Sequence, residues 1–425
     1  MARRQTRVSA DQTLALLADP YRFVSARCRE LGADAFETRV LLKETVCLKG
    51  REAAELFYDA DRFKRAGAMP APIGKTLLGE GGVQGLDGDE HRHRKQMFME
   101  LMGAERVAAL GELVRAEWLT AAARWAATQA DIRLYDELHP MLTRAVCAWA
   151  GVPLPDAELE TRAGQLRALF DAAGSRSLRH LWSRQARRQV DRWLADVVEA
   201  VRDGRLDPGV QTAAHRIALA RDLDGSLLPP RVAAVELANV LRPTVATAVY
   251  IVFVAHALRV YPERAAACLA SADGRRAFVQ EVRRYYPFFP AVIARARRPF
   301  TWQGLEFPPE RQTILDLYGT NHDPAIWGDP DEFRPQRFLE RTPGPFEFVP
   351  QGGGDHHLGH RCPGEWIVIE LMERSMQVLA EDIDFDVPDQ DLSIDFRRLP
   401  ALPRSGFLMA NVRRKALDRA DAHRT

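Results

Sequence analysis

The stretch from Phe346 to Glu370, FEFVPQGGGDHHLGHRCPGEWIVIE, restricts the folding of this chain more than any other. It delivers a single cysteine, Cys362, on a glycine-rich loop to the start of an apolar helix. Gly352, Gly353 and Gly354 allow backbone conformations closed to other residues, and Gly359 and Gly364 leave room for a flat group to approach. Pro363 suits the first turn of a helix that begins just after the cysteine. Backbone N–H groups there, with the positive end of the helix dipole, favour thiolate over thiol. A thiolate held in this way is a metal ligand.

No linker, repeat or low-complexity run divides the 425 residues, so one large domain spanning 1–425 is expected, mainly α-helical. With 46% hydrophobic and 28% charged residues, the chain has the make-up of a globular protein with a substantial core, and its net charge of +1 argues against nucleic-acid binding. Cys28, Cys47, Cys147, Cys268 and Cys362 are odd in number and not closely paired. They argue against a disulfide framework and for a reducing, cytoplasmic setting. MARRQTRVSADQ is basic with no apolar run behind it, so neither a signal peptide nor a membrane anchor is expected there. The longest apolar run, Val245 to Leu258, is interrupted by Thr247 and His256 and reads as a buried core helix.

Taken in order, Ser9 and Gln12 make a capping-box pattern ahead of a helical pair ended by Gly32. AFETRVLLKETVCLKG predicts an antiparallel hairpin and REAAELFYDADRF a helix. The glycine- and proline-rich Lys64 to Gly88 segment is too long for a simple connection and predicts a functional loop. A cationic helix follows, with His91 and Lys95 four apart on one face. Amphipathic helices are expected over Ala104 to Ala127, Pro140 to Ala150, Pro155 to Ala173 and Ser177 to Asp203. The Pro230 to Val260 helical segment contains Pro243, and a proline in a helix interior costs roughly 3 kcal/mol. Something must justify Arg242 and Pro243. Beyond the Glu281 to Arg284 helix come short strands (AVIARA, FTWQGLEF, QTILDLY), the FRPQRF segment, the cysteine loop and its helix. Asp386 to Val412 reads as further short strands, and the tail from Arg413 as frayed.

Glu281 and Arg284 three apart, FRPQRF, and a glycine-rich loop ending in Cys-Pro-Gly occur in an order and spacing that resemble the cytochrome P450 superfamily. The resemblance covers nearly the whole chain. It implies a triangular helical prism with small antiparallel sheets, and haem b buried between the long central helix and the helix after the cysteine loop. Cys362 would be the axial thiolate ligand, and Glu281, Arg284 and Arg337 a structural ion cluster. The departures are informative. Where ordinary members carry an acid and a threonine in the central helix, this chain reads Leu241-Arg242-Pro243-Thr244. With the longer loop QGGGDHHLGHRCPGE, VQGLDG, HRHRKQMFM and NVLRPTVA, it is similar to the bacterial fatty-acid peroxygenases, above all their α-hydroxylating branch.

Thiolate ligation favours O–O cleavage, which also needs a proton donor and acceptor near the distal oxygen. The chain lacks the usual ones. A guanidinium facing an apolar pocket can bind a carboxylate through two parallel hydrogen bonds, so Arg242 can take the missing group from a fatty acid. Pro243 would break the helix and aim the arginine. The alternative for Arg242 is a buried pair with an Asp or Glu elsewhere. By resemblance, Gln84 lies over the haem where decarboxylating relatives have histidine, and Leu78 where β-hydroxylating relatives have phenylalanine; both favour an α-hydroxy product. His91 and Lys95, helped by Arg65 and Arg295, are assigned to the haem propionates, and His360 precedes the cysteine by two. Val83, Phe170, Phe288, Phe289 and Val292 are candidates for an alkyl channel. The expected partners are a long-chain fatty acid and hydrogen peroxide, with no obligatory redox partner. Alternatives are β-hydroxylation or decarboxylation, a reductase-dependent monooxygenase, and a non-catalytic haem or fatty-acid binding protein.

Overall fold

A computed structural model describes residues 7–171 and 178–415. The expected helix ends at Ala173 and Ser177 lie outside these residues, as does the chain beyond 415. The fold is about 53% helical with small sheets. Its largest apolar core joins the Ala104–Thr128, Leu134–Ala150, Pro230–Ala246, Ala248–Val260 and Glu365–Gln377 helices. Among the described residues, the one segment apolar enough to span a bilayer by composition, Pro230–Val260, is 94% buried over its most apolar window. It is the central core element, because a helix hydrophobic all round must be covered on every side.

The main sheet runs in the order Arg7–Asp11, Ala35–Val40, Lys43–Leu48, Gln312–Asp316, Ala291–Ala296, Phe63–Lys64. It is mixed: the expected hairpin pairs antiparallel, while Arg7–Asp11 on Ala35–Val40 and Lys43–Leu48 on Gln312–Asp316 are parallel. Just ahead of the Ala291–Ala296 strand, the Phe288 ring lies 4.4 Å from that of Tyr250 in the Ala248–Val260 helix.

Several local expectations gave way to long-range packing. Ser9 falls within the Arg7–Asp11 strand rather than ahead of a helix, and at the start of the first helix the Thr13 amide donates to Asp11 Oδ1 at 2.9 Å. Pro140 does not start its helix but sits inside Leu134–Ala150, whose preceding turn is held by burial of Leu134, Tyr135 and Leu138. Pro243 does not break the central helix either. Helical backbone continues to Ala246, with the change of segment at Thr247. Hydroxyls supply extra bonds around the proline, Thr244 Oγ1 donating to the Val240 carbonyl at 2.9 Å and Thr247 Oγ1 to that of Pro243 at 3.4 Å. The cysteine helix begins at Glu365 with Gly364 as its N-cap, so Pro363 lies outside its first turn. Asp386 to Val412 holds mostly irregular chain, and its one long strand, Leu408–Arg414, takes in Arg413.

Behind the cysteine loop, Glu281 and Arg284 are fully buried and paired twice, at 2.7 and 2.8 Å. Glu281 also accepts from the Arg334 amide at 2.7 Å and lies 3.6 Å from Arg337 Nε. Arg284 and Arg337 spend their remaining donors on carbonyls, including those of Asn321 and Glu332. The cluster pins the loop that precedes the cysteine to the helix beneath it. Replacing Glu281 by Ala leaves two guanidinium groups facing each other without their anion. The expected loss is about 3–5 kcal/mol, read as a lowered urea midpoint with unchanged m-value.

Candidate functional site

One cavity of about 330 Å³ gathers most of the residues singled out by sequence. Cys362, Gly364 and His360 line it from the cysteine loop, and Arg242, Pro243 and Thr247 from the central helix. Leu78, Val83 and Gln84 come from the long loop, and Phe288, Phe289 and Val292 from the segment entering the sheet; Phe170 and Arg65 complete the set. His91, Lys95 and Arg295 do not reach it. The long loop is itself structured, with a helix over Ala71–Leu77 and a short turn over Val83–Gly85.

The cysteine loop folds back on itself. Gly352 and Gly354 adopt φ of 96° and 82°, and a Cβ on Gly353 would lie 2.9 Å from the Pro345 carbonyl oxygen. The Cys362 amide donates to the Gln351 carbonyl at 3.1 Å, and Gln351 Nε2 donates to Cys362 Sγ at 3.7 Å. The sulfur opens onto the cavity while protein encloses it elsewhere. Burial pushes its pKa up, and the Gly364 amide, Lys95 and Arg283 oppose that only in part. The thiolate expected from the helix terminus is therefore not set by the protein alone, since the helix starts three residues later. A bound metal ion deprotonates such a thiol outright.

Lys95 spends its ammonium on the loop itself, donating to the carbonyls of Gly359 and, at 2.6 Å, Arg361. Burial brings its pKa down to about 8. His91 is buried with its ring 3.9 Å from that of His360. Burial, with the neighbouring His360 and Lys95, holds it near 3 and so neutral. Arg65 lies over the Phe57 ring at 4.2 Å and is brought to about 10 by burial. Arg295 is paired with Glu310 at 3.1 Å. Asp87 ties these pieces together, accepting from the Arg65 and Ala66 amides at 2.9 Å and lying 3.6 Å from His360 Nε2.

Across the cavity, Arg242 is buried, and no carboxylate among the described residues pairs with it; its Nη1 has no partner at all. The alternative, a buried ion pair, is made by none of the described residues. Burial lowers its pKa to about 9, helped by the nearby Arg187 cation and opposed by Cys362. Arg187, also buried, is occupied by Asp191 at 3.0 Å. The guanidinium of Arg242 is thus still charged at neutral pH and lacks an anion.

Gln84 is oriented by a buried network that the sequence reading missed. Its Oε1 accepts from Asn239 Nδ2 at 3.1 Å, and the same nitrogen donates to Glu236 at 3.0 Å. Glu236, fully buried, also accepts from the Val83 amide and from Arg94 Nη1, both at 2.9 Å. With Oε1 engaged, Gln84 presents its NH2 group as a free donor. The signal was available: Glu236, Asn239 and Arg242 recur every three residues along one helix. Arg283, Gln351 and Glu365 had no such signal.

The donor set fits a haem. It offers one sulfur facing a roomy cavity, a glycine, Gly364, beside it, and the partly buried cation Arg65 in the lining for an anionic side group. Comparison with known proteins agrees. The cytochrome P450 family model matches residues 275–387. Cytochrome P450SP alpha, solved in complex with (R)-ibuprophen, is 63% identical, the match covering 95% of this chain and 98% of that one at a TM-score of 0.93. Cytochrome P450EX alpha with myristic acid is 42% identical over 96% and 99% of the two chains, at 0.93. Ligand-free cytochrome P450 OleT is 36% identical over 97% and 100%, at 0.94.

Asp87 gives a pH test of the site's frame. Burial works against its ionisation, but His360 and the Ala66 and Arg65 amides outweigh this and hold its carboxyl down at about 2. A folded pKa below the unfolded value of about 3.9 stabilises the fold above pH 4, and that contribution is lost as pH falls towards 2. For this partly exposed group it is worth about 1 kcal/mol after screening. Asp87→Asn should cost about that much at pH 7 and progressively less below pH 4, in urea titrations beside the parent protein.

Proposed function

This chain belongs to the cytochrome P450 family, and from that premise we propose that it is a fatty-acid peroxygenase, converting a long-chain fatty acid and hydrogen peroxide to the α-hydroxy acid and water. One observation carries the reading: a buried, unpaired guanidinium, Arg242, shares a cavity with the cysteine thiol, Cys362. The likeness to P450EX alpha, solved with myristic acid, supports the substrate class.

Haem b, ligated by Cys362, supplies when bound the iron at which peroxide is cleaved and the C–H bond oxidised. Arg65 and His360, lining the cavity, would hold its anionic edge, while His91, its ring 3.9 Å from that of His360, and Lys95, bonded to the loop carbonyls, would support them from outside the cavity. Arg295 would contribute only by leaving Glu310.

Arg242 binds the fatty-acid carboxylate through two charge-assisted hydrogen bonds and so relieves the cost of its own burial. Among the described residues no carboxylate lines the cavity, and its one histidine, His360, belongs to the cysteine loop and faces Asp87, so the bound carboxylate accepts the first peroxide proton and returns it to the departing water. Reaction therefore waits for substrate. Pro243 removes the amide that would bond to the Asn239 carbonyl and so leaves that carbonyl without its helical partner beside the arginine, within a helix that stays continuous. Gln84 donates a hydrogen bond without titrating, which supports hydroxylation over decarboxylation. Leu78, Val83, Phe170, Phe288 and Val292 bury the alkyl chain, and Phe289, 42% exposed, stands at the entrance. The clamp on the carboxylate brings the first methylene nearest the reacting centre.

Palmitate, peroxide and holoenzyme without any electron donor should give 2-hydroxypalmitate, identified by mass spectrometry; no product, or product only with a reductase, refutes the proposal. Arg242→Ala should lose about 10²–10⁴-fold in fatty-acid turnover, the span of general acid–base catalysis. Adding a short carboxylate should restore oxidation of a non-acidic substrate such as styrene.

A further inference from the structure

The sulfur of Cys362 receives a hydrogen bond from a side chain as well as from backbone. Gln351 Nε2 lies 3.7 Å from Sγ, within range for an N–H···S bond. The amide cannot turn its oxygen to the sulfur, because Oε1 accepts from Arg283 Nη2 at 3.0 Å. Arg283 is itself fixed: its side chain is fully buried, its guanidinium lies 5.1 Å from the Phe348 ring centre, and the same Nη2 pairs with Glu365. Glu365 is buried in turn and held by His356 at 2.6 Å and Arg361 at 2.7 Å. A relay of buried charge thus runs from the cysteine helix through Arg283 to one neutral amide, and ends on the sulfur.

A donor aimed at a thiolate withdraws electron density from it, and hydrogen bonds to ligating sulfur are among the levers that set the potential of such sites. The anchoring of Gln351 through its backbone would need no side-chain amide, since its carbonyl already accepts from Cys362 N–H. The amide adds polarity next to a sulfur and nothing to the loop's path. We propose that Gln351 is a positioning residue for the cysteine ligand, its side-chain amide locked by Arg283 and Glu365 so as to donate to Cys362 Sγ and moderate the electron donation of the thiolate to a bound haem. The inference rests on the reading of Cys362 as haem ligand, not on the substrate or the oxidant.

Gln351→Met keeps the side-chain volume and removes the donor; Gln351→Leu does so with a different shape. In both, the haem midpoint potential should move to more negative values and the Fe–S stretch in resonance Raman spectra to higher frequency. Arg283→Lys keeps the charge facing Glu365, loosens the amide, and should move both readouts the same way by less. A purely structural Gln351 would alter stability while leaving potential and Fe–S frequency at the parent values, and that result overturns the proposal. A crystal structure of the haem-bound parent protein tests it without variants: Nε2 within about 4 Å of Sγ supports it, and an amide turned away overturns it. Neither measurement needs turnover, so a failure of fatty-acid oxidation would sink the functional reading and leave this one standing.

Discussion

An arginine without an anion is the constraint that the cavity is built around. Arg242 is buried, still protonated, and faced by no carboxylate, while Arg187 adds a second positive charge nearby that Asp191 neutralises only in its own neighbourhood. Isolated burial of a charge is among the most costly states in a folded protein. The chain tolerates it because the rest of the fold leaves it no alternative. The central helix is buried on all sides, so Arg242 cannot swing to solvent. A ligand carboxylate removes the penalty, so the free protein is the less favourable state and part of the cost of burial returns as affinity for an anion. Selectivity for a fatty acid over other apolar molecules follows from the same term.

The cysteine loop is the other fixed point, and its rigidity comes from behind rather than from the cavity. Lys95 holds two of its carbonyls, Arg283 and Arg361 converge on Glu365, and the Glu281, Arg284 and Arg337 cluster fastens the preceding segment. Because these contacts do not face the cavity, they hold the sulfur in place whatever occupies the site.

Legibility of the sequence followed the range of the interaction. The loop around Cys362, the apolar central segment, the hairpin and the Glu281 to Arg284 pair are local patterns and could be read directly. The Ser9 capping box was a local pattern too, and failed because parallel pairing with residues near Glu37 claimed that segment for a strand. Pro243 predicted a helix break and produced none, since the helix around it is packed into the core on all sides. The groups that orient Gln84 lie 142 to 155 residues away from the segments they hold, and Arg283 is 68 residues from Gln351. No window of sequence contains both ends of such a contact. Only Glu236, Asn239 and Arg242, spaced by three on one helix, left a trace.

The two walls of the cavity use the same device. On one side Glu236 and Asn239 fix the oxygen of Gln84; on the other Glu365 and Arg283 fix the oxygen of Gln351. In each, buried charges stand behind and a neutral amide is sent forward with its oxygen engaged and its N–H groups turned to the site, those of Gln351 towards Cys362 Sγ. An amide does not titrate, so its donor survives any change of pH or of charge in the site, whereas histidine or lysine there would exchange protons with the reactants. An amide is ambiguous only in which end it presents, and a buried ion pair at its back removes that ambiguity. Proton traffic is thereby left to the one group the protein does not own, the carboxylate that Arg242 awaits.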